Sequence, residues 1–449
     1  MKELLALCIS LLITCISQAQ NYADTSKIFI SGKLKNPKQN YFDFAKTGFF
    51  KDNISSVTLK KDGSFSYTFY IEGKQQDIYL YHNDDAITFT LKENDSLQLF
   101  WDDNDFKNTF KILSNDTLRS KLLNVQWQQY LRFHDVYSGL KTKLNNEREN
   151  MSISEKFLLV NTAYNKELSF LKEIVHKLHP ASWSTLVTNI FYKYTNILLD
   201  FGILSKYELE ALDTIADSNL VKVLPYLNHK TLSEPDVWTS VEYRNFLYNY
   251  LRFLNVFDSF IGEFEFNPTL QDYYMAKATL QSPAIQNWFI ATIIITDFSR
   301  YAFKKVENVY DIFLQELKDE SLKKILVDTY AASSTLKPGK LAPSFELKDE
   351  NGKTISLADF RGKVVYIDFW SVDCGPCIYD IEKYSHKLHE AYKGKDIVFV
   401  SICVDENEKQ WKDALEKYKM KGSINLITSD GKIMLFAKHI ISRQFPVIS

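Results

Sequence analysis

An apolar segment that runs directly into two closely spaced cysteines is the feature that most constrains the fold of this chain. "KVVYIDFW", residues 363–370, is typical of a buried strand, and "CGPC" follows it, just before a helical segment at residues 378–392. This order places Cys374 at the N-terminus of a helix, where unpaired amide hydrogens and the helix dipole favour a thiolate. Pro376 fits the first turn because its missing amide hydrogen would have no helical partner there. The sequence therefore predicts an exposed nucleophile at Cys374 and a second thiol, Cys377, that resolves the mixed disulfide.

The segments after this turn repeat the alternation of strand and helix. "DIVFVSICVD" predicts a second strand, and residues 408–420 predict a second helix. Strands that alternate with helices form a parallel sheet, and its functional residues lie at the carboxyl ends of the strands. We therefore predict an α/β domain at residues 345–449 with its site at the two cysteines.

Cysteines are scarce in the rest of the chain. Of five in total, Cys8 and Cys15 fall in the first twenty residues, none lies from residue 20 to 373, and Cys403 lies in the second predicted strand. A disulfide across two intervening residues closes too short a loop to stabilise a fold much, so the pair at 374 and 377 is predicted to be reactive. Cys403 is predicted to be an inert buried side chain rather than a third redox thiol.

Two alternatives for the cysteine pair are a zinc site and a static structural clip. A zinc site needs a second pair of ligands, and the nearby candidates are His386 and His389, farther along the same predicted helix. We predict no metal and no cofactor, since the redox group is the Cys374–Cys377 disulfide itself.

Two regions of different periodicity precede the α/β domain. Up to about residue 110 apolar residues alternate, as in "SFSYTFYI", and Asp62-Gly63 is typical of a hairpin. From there the apolar residues follow helical spacing, until a segment rich in small residues, proline and glycine breaks the pattern. We predict a multi-domain protein with an antiparallel β-sandwich at residues 20–112, a helical domain at 113–332 and a linker at 333–344.

The first residues have the pattern of a secretory signal. A single lysine precedes an apolar run that is too short to span a bilayer, and Ala19 is a small residue at the expected cleavage point. Lipidation at Cys15 is the less favoured alternative, because Thr14 is bulkier than the residues that usually precede a lipidated cysteine. The sequence predicts a signal peptide at residues 1–19 and a location in the periplasm or cell envelope.

The charge pattern narrows the range of partners. The formal net charge is -2, and no long block of one sign occurs. Nucleic acid and acidic membrane surfaces are therefore poor candidates as partners.

The last quarter of the chain resembles the thioredoxin fold, in particular its secreted TlpA/ResA-like, AhpC/TSA-related (redoxin) branch. Three motifs carry the resemblance: "G-x-x-A-P-x-F" from Gly339, "L-x-x-F-R-G-K" from Leu357, and the strand that leads into "C-G-P-C". The resemblance implies a thioredoxin-like fold for the α/β domain and a catalytic role for Cys374 and Cys377.

Further residues take their roles from this resemblance. Asp368 matches the buried carboxylate that takes up and returns the proton of the inner cysteine. Trp370 matches the aromatic residue beside the active turn, and Pro446 matches the cis-proline that offers backbone to an extended substrate. The resemblance implies substrate contacts at Pro446, Trp370, Gly375 and Pro376.

Two departures from the family pattern bear on function. Asp373 stands where tryptophan is common, and a carboxylate beside the thiolate should make the pair less oxidising, which favours a reductase. The family continues after the cis-proline with a strand, a hairpin and a helix, whereas this chain stops at Ser449. We expect an incomplete copy of a longer protein, the alternative being a domain that is truncated after Pro446.

The leading functional prediction is a periplasmic thiol-disulfide oxidoreductase that reduces or isomerises protein disulfides. The resemblance implies disulfide-containing envelope proteins as substrates and a membrane thiol reductant as electron donor, while the upstream domains hold substrate or mediate self-association into a homo-oligomer. One alternative is a thiol peroxidase, although Ile367 and Ser371 occupy the positions of the proline and threonine that bind peroxide. Another is a non-enzymatic module that binds Cu(I) or a protein.

Overall fold

A computed structural model describes most of the chain between residues 25 and 428. The described residues are 25–46, 48, 50, 53–72, 75–82, 85–147, 150–174, 178, 180–203, 240–258, 267–335, 337–372, 374–405 and 407–428. Among the helices of these segments, none is long and apolar enough to cross a membrane.

The first part of the described chain is rich in strands. These are β1 (Thr25–Lys35), β2 (Tyr41–Lys46), β3 (Asn53–Thr58), β4 (Ser64–Glu72), β5 (Gln75–His82), β6 (Asp85–Lys92), β7 (Ser96–Asp102) and β8 (Lys111–Ser114). They form two four-stranded sheets, in the orders β4-β1-β7-β8 and β3-β2-β5-β6. The prediction of purely antiparallel strands is wrong at one pairing: β1 and β7 are parallel. The chain between these two strands contains the whole second sheet, and such a long connection permits parallel pairing.

Alternating side chains of both sheets form one apolar core. Ile28, Phe44 and Leu80 are among its fully buried members, and Trp127 from the following helix packs against the same cluster. The close approach of β1 to β7 depends on Gly32, because a Cβ atom there would lie 1.9 Å from the Leu99 carbonyl oxygen. The buried residues of these strands follow the alternation that the sequence predicts.

A largely helical region follows the strands. Its helices are α1 (Phe106–Thr109), α2 (Thr117–Asn146), α3 (Ile153–Ile174), α4 (Pro180–Asp200), α5 (Val241–Asp258), α6 (Pro268–Thr279), α7 (Pro283–Asp297), α8 (Phe303–Glu316) and α9 (Glu320–Ser334). Asp116 begins α2 by accepting hydrogen bonds from the amides of Leu118 and Arg119. Buried polar groups also occur: Glu167 of α3 accepts hydrogen bonds from Lys193 and Tyr194 of α4.

Residue contacts divide the chain into two compact units. One comprises residues 1–294 and 309–323, and the other comprises 295–308 and 324–449. Within the second unit, Lys337 forms an ion pair of 2.8 Å with Glu307, so the predicted linker contains an anchored residue. The boundaries predicted for the domains and the linker remain predictions.

The carboxyl-terminal part of the described chain alternates strands with helices. Its elements are β9 (Glu346–Asp349), β10 (Thr354–Ser356), a 3₁₀ helix (Leu357–Phe360), β11 (Val364–Trp370), α10 (Gly375–Asp380), a π-helical turn (Ile381–Ser385), α11 (His386–Ala391), β12 (Ile397–Cys403), α12 (Glu408–Lys417) and β13 (Ile424–Ile427). The sheet order is β10-β9-β13-β12-β11, and β11, β12 and β13 are parallel. The parallel core that the sequence predicts is therefore confirmed.

Apolar side chains cover both faces of this sheet. Phe345, Phe360 and Val400 belong to a cluster on one face, whereas Trp370 and Trp411 belong to a second cluster. Successive strand residues point to opposite faces of the sheet, so the two clusters lie on opposite faces. The second cluster includes Ile378 of α10 and Trp411 of α12, so it lies on the face that these two helices cover. The CGPC turn sits at the edge of that second cluster.

Candidate active site

The two cysteines lie where a parallel strand gives way to a helix. Cys374 is the N-cap residue of α10, and its sulfur accepts a hydrogen bond from the Cys377 amide at 3.2 Å. The two sulfur atoms are bonded to each other, with their Cα atoms 5.3 Å apart. The loop before the helix is closed by a hydrogen bond of 3.1 Å from the Cys374 amide to the Ser371 carbonyl. The predicted strand–turn–helix arrangement is thus observed.

The surroundings of the two cysteines differ although both are half-buried. Cys377 packs with Ile378 against the cluster of Trp370 and Trp411, whereas Cys374 is not part of that cluster. Gly375 beside it is exposed, and a Cβ atom built there would meet no heavy atom within 4 Å. This asymmetry fits a reactive Cys374 at the surface and a resolving Cys377 that faces the core.

Trp370 supports the turn from inside the domain. Its side chain is 1% exposed and packs in the same cluster as Cys377 and Val372. The substrate contact predicted for Trp370 remains a prediction, and it would require this side chain to become exposed. Pro376 lies in the first turn of α10, as expected. Pro446 lies outside the described residues.

Asp368 lies two residues before Trp370 on β11 and therefore on the same face of the sheet. Burial raises the pKa of the Asp368 carboxyl, and the nearby charge of Asp380 raises it further. A raised pKa suits a carboxyl that exchanges protons near neutral pH, which is the role predicted for it. Asp380 was not among the predicted site residues, although its position three residues after Cys377 on a predicted helix indicates proximity to the turn.

Cys403 and Asp405 lie behind the turn, at the carboxyl end of β12. The Cys403 side chain is completely buried and free, and burial together with the charge of Asp405 raises its pKa to about 12. Asp405 accepts a hydrogen bond of 2.6 Å from the Val372 amide through Oδ2. Asp405 was not among the predicted site residues, because its proximity to the turn depends on β11 and β12 being neighbours in the sheet.

The described residues contain no group of three or more histidine, cysteine, aspartate or glutamate side chains that could hold a metal ion. His389, one of the candidates for a zinc site, contacts Ser423 at 3.1 Å through Nε2, and its ring lies 4.4 Å from that of Phe399. These contacts lie on the sheet side of α11, and the absence of a metal remains a prediction.

Comparison with known proteins identifies the family. The family model described as Redoxin matches residues 337–439. The thiol-disulfide oxidoreductase ResA of Bacillus cereus is 30% identical over 125 residues, which cover 26% of this chain and 72% of that protein. This chain belongs to the ResA-like redoxin family of thiol-disulfide oxidoreductases. Its carboxyl-terminal region therefore has a thioredoxin-like fold, with additional strand-rich and helical regions before it.

The chain is also similar to a second curated protein and to a solved structure. The ResA protein of Bacillus thuringiensis is 32% identical over 116 residues, covering 24% of this chain and 66% of that relative. The thioredoxin domain of a thiol-disulfide oxidoreductase from Bacteroides vulgatus is 29% identical, covers 24% of this chain and 71% of that structure, and superposes with a TM-score of 0.21. Each of these matches covers about a quarter of this chain.

Proposed function

We propose that this protein is an exported thiol-disulfide oxidoreductase of the periplasm or cell envelope that reduces or isomerises protein disulfides. The observation that carries the proposal is the Cys374–Cys377 disulfide at the start of α10, within the segment that matches the redoxin family. The proposed substrates are disulfide-containing envelope proteins, and the proposed electron donor is a membrane thiol reductant.

In the proposed reaction the reduced enzyme transfers two electrons. The Cys374 thiolate attacks one sulfur of the substrate disulfide, the substrate S–S bond breaks, and the other substrate sulfur leaves as a thiolate that takes up a proton. Cys377 then loses its proton to Asp368 and attacks the Cys374 sulfur, so the bond from Cys374 to the substrate breaks, and the second substrate sulfur leaves as a thiolate that takes up the proton from Asp368. The enzyme is left with its Cys374–Cys377 disulfide, and the thiol reductant converts that disulfide back to two thiols.

The surroundings of the cysteines support this order of events. Cys374 lies outside the apolar cluster, next to the exposed Gly375, so a bulky protein disulfide can approach it. Cys377 packs against that cluster, on the face that also carries Asp368. The upstream strand-rich and helical regions are proposed to hold the substrate or to mediate self-association.

A redox titration of the mature chain, residues 20–449, tests the proposal. The protein is equilibrated with thiol buffers of known potential, the free thiols are alkylated, and the mass of the peptide that contains both cysteines is measured. We expect one two-electron transition at a reducing potential, together with reduction of insulin disulfides by dithiothreitol that the protein accelerates.

Two variants serve as controls for this titration. Cys374→Ser should abolish both the transition and the insulin activity, whereas Asp413→Asn, a substitution of an exposed residue on α12 that pairs with Lys409, should leave both intact. Cysteines that never pair, or a pair that no thiol buffer can reduce, would overturn the proposed function.

A further inference from the structure

Asp405 lies directly beyond the sheet pairing that leads into the active turn. Cys403, the last residue of β12, is paired with Trp370, the last residue of β11. The pairing continues one step farther, since the Val404 amide donates a hydrogen bond of 2.9 Å to the Trp370 carbonyl. The residue after Val404 is therefore fixed next to the loop that connects β11 to α10.

One carboxylate oxygen of Asp405 joins that loop to the end of β12. Oδ2 accepts a hydrogen bond of 2.6 Å from the Val372 amide and a weaker one, at 3.5 Å, from the Cys403 thiol. Hydrogen bonds to an ionised acceptor are shorter and stronger than those between neutral groups. Thiols are protonated at neutral pH, and burial raises the pKa of Cys403 further, so its sulfur carries the hydrogen that it donates.

Val372 connects the Asp405 carboxylate to the loop that carries Cys374. It lies within the loop that the hydrogen bond from the Cys374 amide to the Ser371 carbonyl closes. Its side chain packs against the Trp370 cluster while its amide binds Asp405, so both parts of the residue are held. A loop held at two points keeps the nucleophile in one geometry, and small displacements of reacting groups reduce rates strongly.

We propose that Asp405 is a positioning residue for the nucleophile Cys374, with the Cys403 thiol holding its carboxylate in place. The inference rests on the proposed function, since it assigns to Asp405 a part in the chemistry of the CGPC turn. It also gives Cys403 a role as a hydrogen-bond donor, in addition to that of an apolar side chain in the core.

The pH dependence of Cys374 alkylation by iodoacetamide tests this inference in the reduced mature chain. For Asp405→Ala we expect the midpoint of the pH–rate profile to rise by about one pH unit, a tenfold loss of reactivity below the midpoint, because the thiolate loses its stabilised position. Loss of a negative charge alone would lower the midpoint instead. For Asp405→Asn, which retains an acceptor oxygen, we expect a smaller rise or none.

The matched control is Asp413→Asn on α12, an exposed aspartate that pairs with Lys409 of the same helix. It should leave the midpoint unchanged. An unchanged or lowered midpoint in folded Asp405→Ala would overturn the inference. If that variant does not fold, the same profile of Asp405→Ser decides, because the serine hydroxyl is too short to replace the carboxylate oxygen: a raised midpoint supports the inference, and an unchanged or lowered midpoint overturns it.

The alkylation profile also separates this inference from the proposed function. It reports the state of the Cys374 thiol whether or not the protein reduces any protein disulfide. A parent without insulin activity but with a shifted profile in Asp405→Ala would reject the reductase and retain the positioning role. A parent with insulin activity whose alkylation profile stays the same in Asp405→Ala would retain the reductase and reject the positioning role.

Discussion

The buried thiol of Cys403 allows a quantitative prediction about thiol reactivity. Its side chain is completely buried, and its pKa is raised from the usual 9 to about 12. At pH 8 a thiol with a pKa of 9 is roughly 10% thiolate, whereas one with a pKa of 12 is about 0.01% thiolate. We therefore expect Cys403 in the folded protein to react with iodoacetamide at least about a thousandfold more slowly than an exposed cysteine, because burial also blocks access.

The assay is alkylation of the fully reduced mature chain followed by mass spectrometry. Native protein at pH 8 should gain two adducts, at Cys374 and Cys377, and a third should appear only in denaturant. The Cys403→Ser variant should gain two under both conditions, which assigns the third adduct. A third adduct on native protein at a rate within tenfold of that of free cysteine would refute the reasoning and make Cys403 a candidate redox thiol.

Two further predictions concern stability. Burial raises the pKa of Glu242 from 4.5 to about 7, with the charge of Lys193 opposing the rise, so the folded state holds the proton more tightly and loses stability as pH rises between these values. Glu242→Gln should therefore have the same free energy of unfolding in urea as the parent at pH 4.5 and exceed it by about 3 kcal/mol at pH 8, and an equal difference at both pH values would contradict this. Gly32→Ala should lower the free energy of unfolding by about 3 kcal/mol or more, because its Cβ would lie 1.9 Å from the Leu99 carbonyl oxygen. The control Gly139→Ala, with open space around its Cβ, should be neutral or stabilising in the same urea denaturation. Equal stability of these two variants would contradict the steric argument.

Local pattern was sufficient to predict the elements around the active turn. The apolar run before Cys374 and the proline within the turn each act over a few residues, and the observed strand and helix begin within three residues of the predicted bounds. The π-helical turn at Ile381–Ser385 was not predicted, since the apolar spacing of this segment is compatible with a regular helix.

Contacts between distant parts of the chain could not be predicted in the same way. The alternation in β1 is the same whether its neighbour is parallel or antiparallel, so the pairing with β7 was beyond the reach of periodicity. Asp405 is one of many acidic residues, and its hydrogen bond to Val372 becomes visible only when β11 and β12 are placed side by side. The predicted substrate contact at Pro446 lies outside the described residues and remains a prediction.

The parallel pairing of β1 with β7 has a consequence for the order in which the amino-terminal region folds. Phe29 pairs with Ser96, so the central position of β1 is completed by a strand that follows all of the second sheet. Such distant pairing is slow, because the closure of a long loop must precede any gain from the contact. During synthesis from the amino terminus, one edge of β1 stays unpaired until β7 has been made. The apolar core of the two sheets is complete only when Trp127 of α2 packs into it. During this interval the unpaired edge of β1 is exposed to pairing with other chains.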